Sequence, residues 1–492
     1  MNVSVIKTLD NSYDTRVIGL FEKETVSFND KKLEESINYL VNEGEFKGKF
    51  GEIESIILPI NEKPNKFIFI GLGERDKFAD EKLRKIVAKI VNEGNKIKSK
   101  CILIEPMGVN DCITLENATR IIAQIPLLVD YKFDKYQKVK KESTVSEIKI
   151  LCKNEKDLEI MRSASKEGSI LAKETVFARD LVNEPANALL PVELANRAKE
   201  AGDKYGFDVE IYDEEEIKEL NMQAYMEVAK ASDNPPRLIV MRYWGDAENK
   251  ENIIGIAGKG ITYDSGGLCI KTKAGMVNMK ADMGGAAALL GAMSSIAELK
   301  VKANVVGVIA ACENMISGKG YRTGDIIGSM AGKTIFVGST DAEGRLTLVD
   351  AIHYLIEKEN ATKIFDIATL TGGAVAALGK AATPVMSNDD EFFNNIQRAS
   401  DISGEKIWRM PCFDEYKESI KSYVADLTNS GGHPQVMTAG VFIEEFVQDK
   451  PWIHIDIAAT SWADKKYEYG VKGGTGVGVR TLYHVVKNLS NK

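Results

Sequence analysis

The sequence predicts an α/β protein of two unequal domains, a smaller N-terminal α/β domain joined by a long helix to a larger C-terminal domain with a doubly wound, mostly parallel sheet. Three observations predict it. Short β-branched runs alternate with amphipathic stretches as far as about Ile150, the pattern of strands and helices in turn. Beyond that point the strand candidates are apolar throughout and separated by helical segments, as a sheet covered on both faces requires. The 492 residues also exceed what one ordinary core organises.

In the first domain the strands are VSVIKTL, TRVIGLFE, ESIILPI, KFIFIGLG and KCILIEP, with SEIKILC closing the domain. LEESINYLVNEG and DEKLRKIVAKIVNEG carry apolar residues at helical spacing and end in glycine, as C-capped helices do. Asp157 to Val182 reads as one long helix; Pro185 disfavours helix at Glu184, and Pro191 opens the next helix. The boundary is set near Ser165, giving domains 1–165 and 166–492. In the second domain the strands are FDVEIYD, PRLIVMRYWG, ENIIGIAGKG, KANVVGVIAAC, KTIFVGST, TKIFDIATL and WIHIDIA. GGAAALLGAMSSIAEL, rich in small residues and shorter than a membrane span, reads as a buried helix.

Two stretches carry the chemistry. GKGITYDSGGLCIK runs from Gly258 to Lys271, followed by MKADMGG from Met279, and STDAEGRL runs from Ser339 to Leu346. Together they offer Lys259, Asp264, Asp282, Asp341 and Glu343 as amine or oxygen donors, with Lys271 and Arg345 as cations able to face the same pocket. Such a hard, oxygen-rich set favours Mg, Mn or Zn over the thiolate metals, and a bridging carboxylate invites two ions. Both motifs are expected just past a strand, where ligands collect in doubly wound sheets.

Plainer readings stand beside these. GKG alone is a turn, and the P-loop pattern needs Ser or Thr where Gly260 stands. Asp282, before MGGAAALL, could simply be a helix N-cap. Asp341 and Glu343, two apart, project to one side if the backbone is extended. Lys259 can ligate a metal only as the neutral amine, so its pKa must be pulled far down.

GKGITYDSGG, ADMGG and DAEGRL resemble the signature of the leucyl aminopeptidases, the cytosol aminopeptidase family of two-metal exopeptidases. The likeness continues through ARDLVNEPAN, FDIATLTGG, GEKIWRMP, ADLTNSGG, PWIHIDIA and GGTGVGVRTL, from about Ala178 to Leu482. The resemblance implies a metal-dependent aminopeptidase that removes leucine and other apolar residues from short peptides with a free N-terminus. It implies two divalent ions (Mn or Zn) per subunit, a bicarbonate, and a homo-hexamer. Carried over residue by residue, one ion is held by Lys259, Asp264, Asp282 and Glu343, and the other by Asp264, Asp341 and Glu343. Lys271 and Arg345 match the catalytic pair, Arg345 holding the bicarbonate that shuttles the proton. Met279, Thr369, Gly372 and Ala458 match positions lining the pocket for the first side chain. The chain departs from the family pattern at Ser339, usually asparagine, at VAKAS and at GGHPQVMTAG.

The bulk numbers exclude other classes. A net charge of -8 argues against a general nucleic-acid or membrane-surface binder. Six cysteines without C-x-x-C spacing suggest reduced thiols in a cytoplasm, and MNVSVIKTLDNSYDTR lacks the apolar segment of a secretory signal. His353, His433, His454 and His484 have no mutual metal-ligand spacing and read as structural. Cys269 reads as a small buried core residue. Two rival functions stay open: a two-metal phosphoesterase, since the same carboxylates, lysine and arginine suit phosphate chemistry, and a second role as a DNA-binding regulatory protein.

Overall fold

The computed structural model describes residues 1–8, 12–24, 31–60, 63–109, 113–140 and 142–490, so Cys112 lies outside the described residues. Its contacts divide the chain into two compact units, Met1–Val176 with Lys466–Val471, and Phe177–Lys465 with Lys472–Lys492. The division at Val176 falls inside one continuous helix, Leu158–Asn183, which also contains Ser165.

In the first unit β1 (Asn2–Ile6), β2 (Thr15–Phe21), β3 (Ile53–Ile60), β4 (Lys63–Gly73), β5 (Cys101–Ile104) and β6 (Glu147–Leu151) form one sheet in the order β1-β6-β5-β2-β4-β3. Every pairing is parallel except β3 with β4. The glycine that ends DEKLRKIVAKIVNEG is not a cap: the helix runs Asp80–Lys96, and Gly94 is buried within it. A Cβ at Gly94 would stand 2.5 Å from Ile102 Cδ1, so glycine there lets the helix approach the sheet. A further helix, Leu115–Asp130, begins at Thr114, whose side chain accepts from the Asn117 amide, and it contains Pro126.

The second unit is built on β7 (Asp208–Tyr212), β8 (Arg237–Trp244), β9 (Ile253–Asp264), β10 (Asn304–Asn314), β11 (Ile326–Ile327), β12 (Ile335–Phe336), β13 (Lys363–Ala368), β14 (Thr383–Ser387), β15 (Ile407–Arg409), β16 (Leu427–Thr428) and β17 (Trp452–Asp456). The main sheet has the order β15-β14-β17-β13-β9-β10-β8-β7. It is parallel at its centre, from β17 through β13 and β9 to β10, while β8, β7 and the β14–β17 pairing are antiparallel. β10 is buried along its whole length, as a strand covered on both faces must be.

Side chains alternate across β9 and define its two covers. Gly258 faces Ala286 of the helix Gly284–Glu298, and the next residue, Lys259, faces Gly344 of the helix Glu343–Glu357. Gly284–Glu298 is the buried helix expected from its small residues, and among the described residues no helix is long and apolar enough to cross a membrane.

KTIFVGST is not a strand of the main sheet. Only Ile335 and Phe336 pair, in a separate sheet of order β11-β12-β16. TPVMS and IWR supply β14 and β15, which the apolar pattern did not mark as strands.

Candidate active site

β9 does not stop before the first motif: Lys259 and Asp264 both lie within it, contrary to the expectation that the motif follows the strand. Five residues apart, the two would point to opposite faces of a regular strand. The pairing with β10 runs Ile261 to Cys312 and then Tyr263 to Glu313, leaving Thr262 as an extra residue. Such a bulge shifts the alternation by one and brings Asp264 round to the side of Lys259.

The other donors arrive on irregular backbone. Asp282 ends a 3-10 turn, Met279–Ala281, and the N-cap position of the next helix is Met283, so the N-cap reading of Asp282 fails. Asp341 and Glu343 do not share an extended segment. Asp341 sits on a turn, and Glu343 is the first residue of the helix Glu343–Glu357, where the helix dipole favours a carboxylate.

The side chains converge. Lys259 Nζ lies 2.7 Å from Asp282 Oδ2 and 2.9 Å from Glu343 Oε1, and it donates to the Thr369 carbonyl at 2.9 Å. Lys271 Nζ lies 2.7 Å from Asp264 Oδ2 and also bonds Asp341 Oδ1. One carboxylate oxygen from each of Asp264, Asp341 and Glu343 lies within 4.8 Å of the others. Glu343 Oε2 is buried with no hydrogen-bond partner, an orphan that normally costs stability and that fits a cation ligand. The residues present therefore suit divalent metal.

The electrostatics follow from burial. Burial pushes Asp264 and Asp282 well above the usual carboxylate range, and the neighbouring carboxylates push them further against the pull of the lysines. Burial acts the same way on Glu343, but Lys259 and Lys271 outweigh it and hold Glu343 below its ordinary value. Burial would lower Lys259, yet Asp282, Glu343 and Asp264 raise it, so in this arrangement Lys259 is an ammonium. A neutral amine ligand requires that bound cations take over the neutralisation of those acids. Arg345 is buried, and its guanidinium is pushed down to about 10 against the opposing pull of Glu343 and Asp456. Its Nε and Nη1 have no hydrogen-bond partners, and its Cζ lies 6.0 Å from the Phe442 ring centroid.

Lys259, Asp264, Lys271, Asp282, Asp341, Glu343 and Arg345 all line one cavity of about 610 Å³, together with Met279, Thr369, Gly372 and Ala458. His433 is exposed and is not among the lining residues. His454 is fully buried, its Nδ1 2.5 Å from Asp366 Oδ1. Cys269 is only half-buried, not a core residue, because it lies on the loop between Asp264 and Lys271. Burial raises its thiol pKa, but hydrogen bonds with Thr323 and Thr340 bring it to about 7.

Sequence reasoning passed over the residues that stitch the two motifs together. Asn314, at the end of β10, donates 2.8 Å to Asp264 Oδ1 and 3.0 Å to the Thr340 carbonyl. The Thr340 hydroxyl donates to the Gly266 carbonyl at 2.7 Å and accepts from the Cys269 amide at 2.8 Å. Asp456 accepts from Thr371 Oγ1 at 2.7 Å and from the amides of Leu370 and Ala458, both at 3.1 Å, tying two pocket walls together. The only local signal was that Asn314 and Asp456 stand at strand ends.

The chain matches the family model described as cytosol aminopeptidase family, catalytic domain, over residues 176–483, and that of the family's N-terminal domain over residues 17–140. A probable cytosol aminopeptidase of Clostridium perfringens is 47% identical over 98% of each chain, and one of Alkaliphilus oremlandii is 43% identical over 97% of each. Among solved structures, the bottromycin maturation enzyme BotP superposes with a TM-score of 0.86 at 29% identity, covering 98% of this chain and 100% of its own. BotP in complex with Mn superposes at 0.85, again at 29% identity, covering 97% of this chain and 99% of its own. With both domains matched in order and relatives of equal length at this identity, the chain belongs to the cytosol aminopeptidase family and is a metal-dependent aminopeptidase.

Proposed function

We propose that the cavity is the active site of a two-metal exopeptidase that removes leucine and other apolar residues from short peptides with a free N-terminus. The observation that carries this reading is the 4.8 Å cluster of Asp264, Asp341 and Glu343 with the orphaned Glu343 Oε2, beside two lysines in one cavity. Lys259, Asp264, Asp282 and Glu343 would hold one ion, and Asp264, Asp341 and Glu343 the other. The donor set suits Mn or Zn. Divalent ions there supply Lewis-acid polarisation of the scissile carbonyl and a water acidic enough to attack near neutral pH.

The chain's own residues do the rest. Lys271 pairs with Asp264 and Asp341; with cations neutralising those acids, its ammonium would be free to hold the oxyanion of the tetrahedral intermediate as a preorganised charge within the cavity. Arg345, with two unpartnered donors, would hold a bicarbonate, which would supply the base for proton transfer to the leaving amine. Met279, Thr369, Gly372 and Ala458 line the room for the first side chain. The family resemblance further supports a cytoplasmic homo-hexamer, whose closed symmetry would restrict access to small peptides.

The decisive test is the free amine. Leucine amide and Leu-Gly should turn over while N-acetyl-leucine amide is inert, because acetylation delocalises into an amide the lone pair with which the free amine would ligate an ion. Comparable turnover of blocked and free substrates would sink the exopeptidase reading even with both ions bound.

A further inference from the structure

We infer that Asn429 is a positioning residue: it holds the turn that carries Asp341, and with it the ion that Asp341 ligates, the second clause resting on the two-metal reading above. Asp341 needs an external anchor more than its fellow donors do. Its side chain is 38% exposed, against 2% for Asp264 and 2% for Glu343, so packing does not fix it. The turn from Gly338 to Ala342 belongs to no strand or helix.

Asn429 supplies the missing pairing. Its Oδ1 accepts from the Gly338 amide at 2.8 Å and from the Ser339 amide at 3.2 Å. Its Nδ2 donates to the Ser339 carbonyl at 2.7 Å and to the Ala342 carbonyl at 3.4 Å. The primary amide thus uses both acceptor and both donor positions on backbone that brackets Asp341. Asn429 is fully buried, where such bonds are strong and their loss is costly. It is delivered by the small sheet: β16 pairs in parallel with β12, and the Asn429 amide continues that pairing by donating to the Phe336 carbonyl at 3.1 Å. Inside the turn, Ser339 Oγ accepts from the Asp341 amide at 3.2 Å, and Thr340 is tied to the first motif as described. Asn429 secures the two flanks that those bonds leave free. Asn429 lies in the ADLTNSGG run.

The test uses full-length protein carrying Asn429→Ala or Asn429→Asp. The aspartate keeps the size and the accepted bonds but sets a carboxylate oxygen against two carbonyls, so it serves if the alanine variant does not fold. Asp426→Ala is the control: Asp426 accepts from Thr334 N at 2.7 Å and Thr334 Oγ1 at 2.8 Å, anchoring the same small sheet without touching the turn. In metal-free protein, hydrogen exchange followed by mass spectrometry should quicken across residues 338–342 in both Asn429 variants and stay at the wild-type rate there in the control. Unchanged exchange in the Asn429 variants would overturn the inference. Calorimetric titration with Mn should show the weaker of two ions loosened by about 10–100-fold, the usual effect of losing a ligand's supporting bond, with the tighter ion retained. Equal weakening of both ions, or of neither, would count against a role specific to Asp341. If wild-type protein takes up one ion only, the two-metal reading fails, and the exchange measurement still decides what Asn429 does.

Discussion

Gly344→Ala tests the site by adding one methyl group. A Cβ at Gly344 would stand 2.4 Å from Lys259 Cε and 2.7 Å from its Nζ. Ordinary contact begins at 3.4 Å, so the end of the lysine must move by about 1 Å. An exposed lysine would swing aside at little cost. Lys259 is 3% exposed and held by Asp282, Glu343 and the Thr369 carbonyl, so it moves only by breaking those contacts. Two effects oppose each other in stability: alanine in the first turn of a helix gains up to about 1 kcal/mol over glycine, and overpacking costs about 1–3 kcal/mol. The net destabilisation is therefore at most about 3 kcal/mol, too little to unfold a domain of ordinary stability. Activity should respond far more, since a displacement of about 1 Å in a catalytic constellation costs on the order of 100-fold. The assay is kcat/KM on Leu-Gly alongside thermal unfolding of the metal-free protein and Mn titration. A folded variant with wild-type kcat/KM and metal uptake would refute the placement of Lys259 in the catalytic site.

Other outcomes follow from the same geometry. Lys271→Ala should lower kcat much more than it changes KM, because the ammonium acts in the transition state; equal loss in binding would assign it to substrate recognition. Chelation should remove activity in two phases, since the Asp264, Asp341 and Glu343 set lacks the lysine and has one side-chain donor fewer, and Mn, Zn or Co should restore it; a fully active metal-free preparation would end the metal reading. Burial would lower the His454 pKa, but Asp366 raises it above the ordinary 6.5. For a histidine raised in the folded state, the contribution to stability is complete below 6.5 and is lost as pH rises through the higher folded value. Thermal unfolding followed upward from pH 6.5 should therefore decline more steeply in wild type than in His454→Gln, and parallel profiles would show that the pair does not titrate in this way.

The sequence by itself determined the layered α/β class, the buried helix Gly284–Glu298 and the helix through Ser165, because apolar periodicity reports which faces of a segment are covered. It also marked Lys259, Asp264, Asp282, Asp341 and Glu343 as candidate donors, through short strings such as GKGITYDSGG and DAEGRL that resemble the family's signature. The tertiary structure alone decided how those donors aim. The extra residue at Thr262 turns Asp264 to the side of Lys259, and a bulge depends on the neighbouring strand, which local pattern does not encode. Asp341 and Glu343 meet Asp264 from a turn and a helix start, not from one extended run. Asn314, Thr340 and Asn429 reach partners 26 to 91 residues away through neutral side chains. Burial leaves a periodic trace in sequence because it acts on every residue of an element. A single long-range hydrogen bond leaves none, because only the packing of distant segments brings donor and acceptor together.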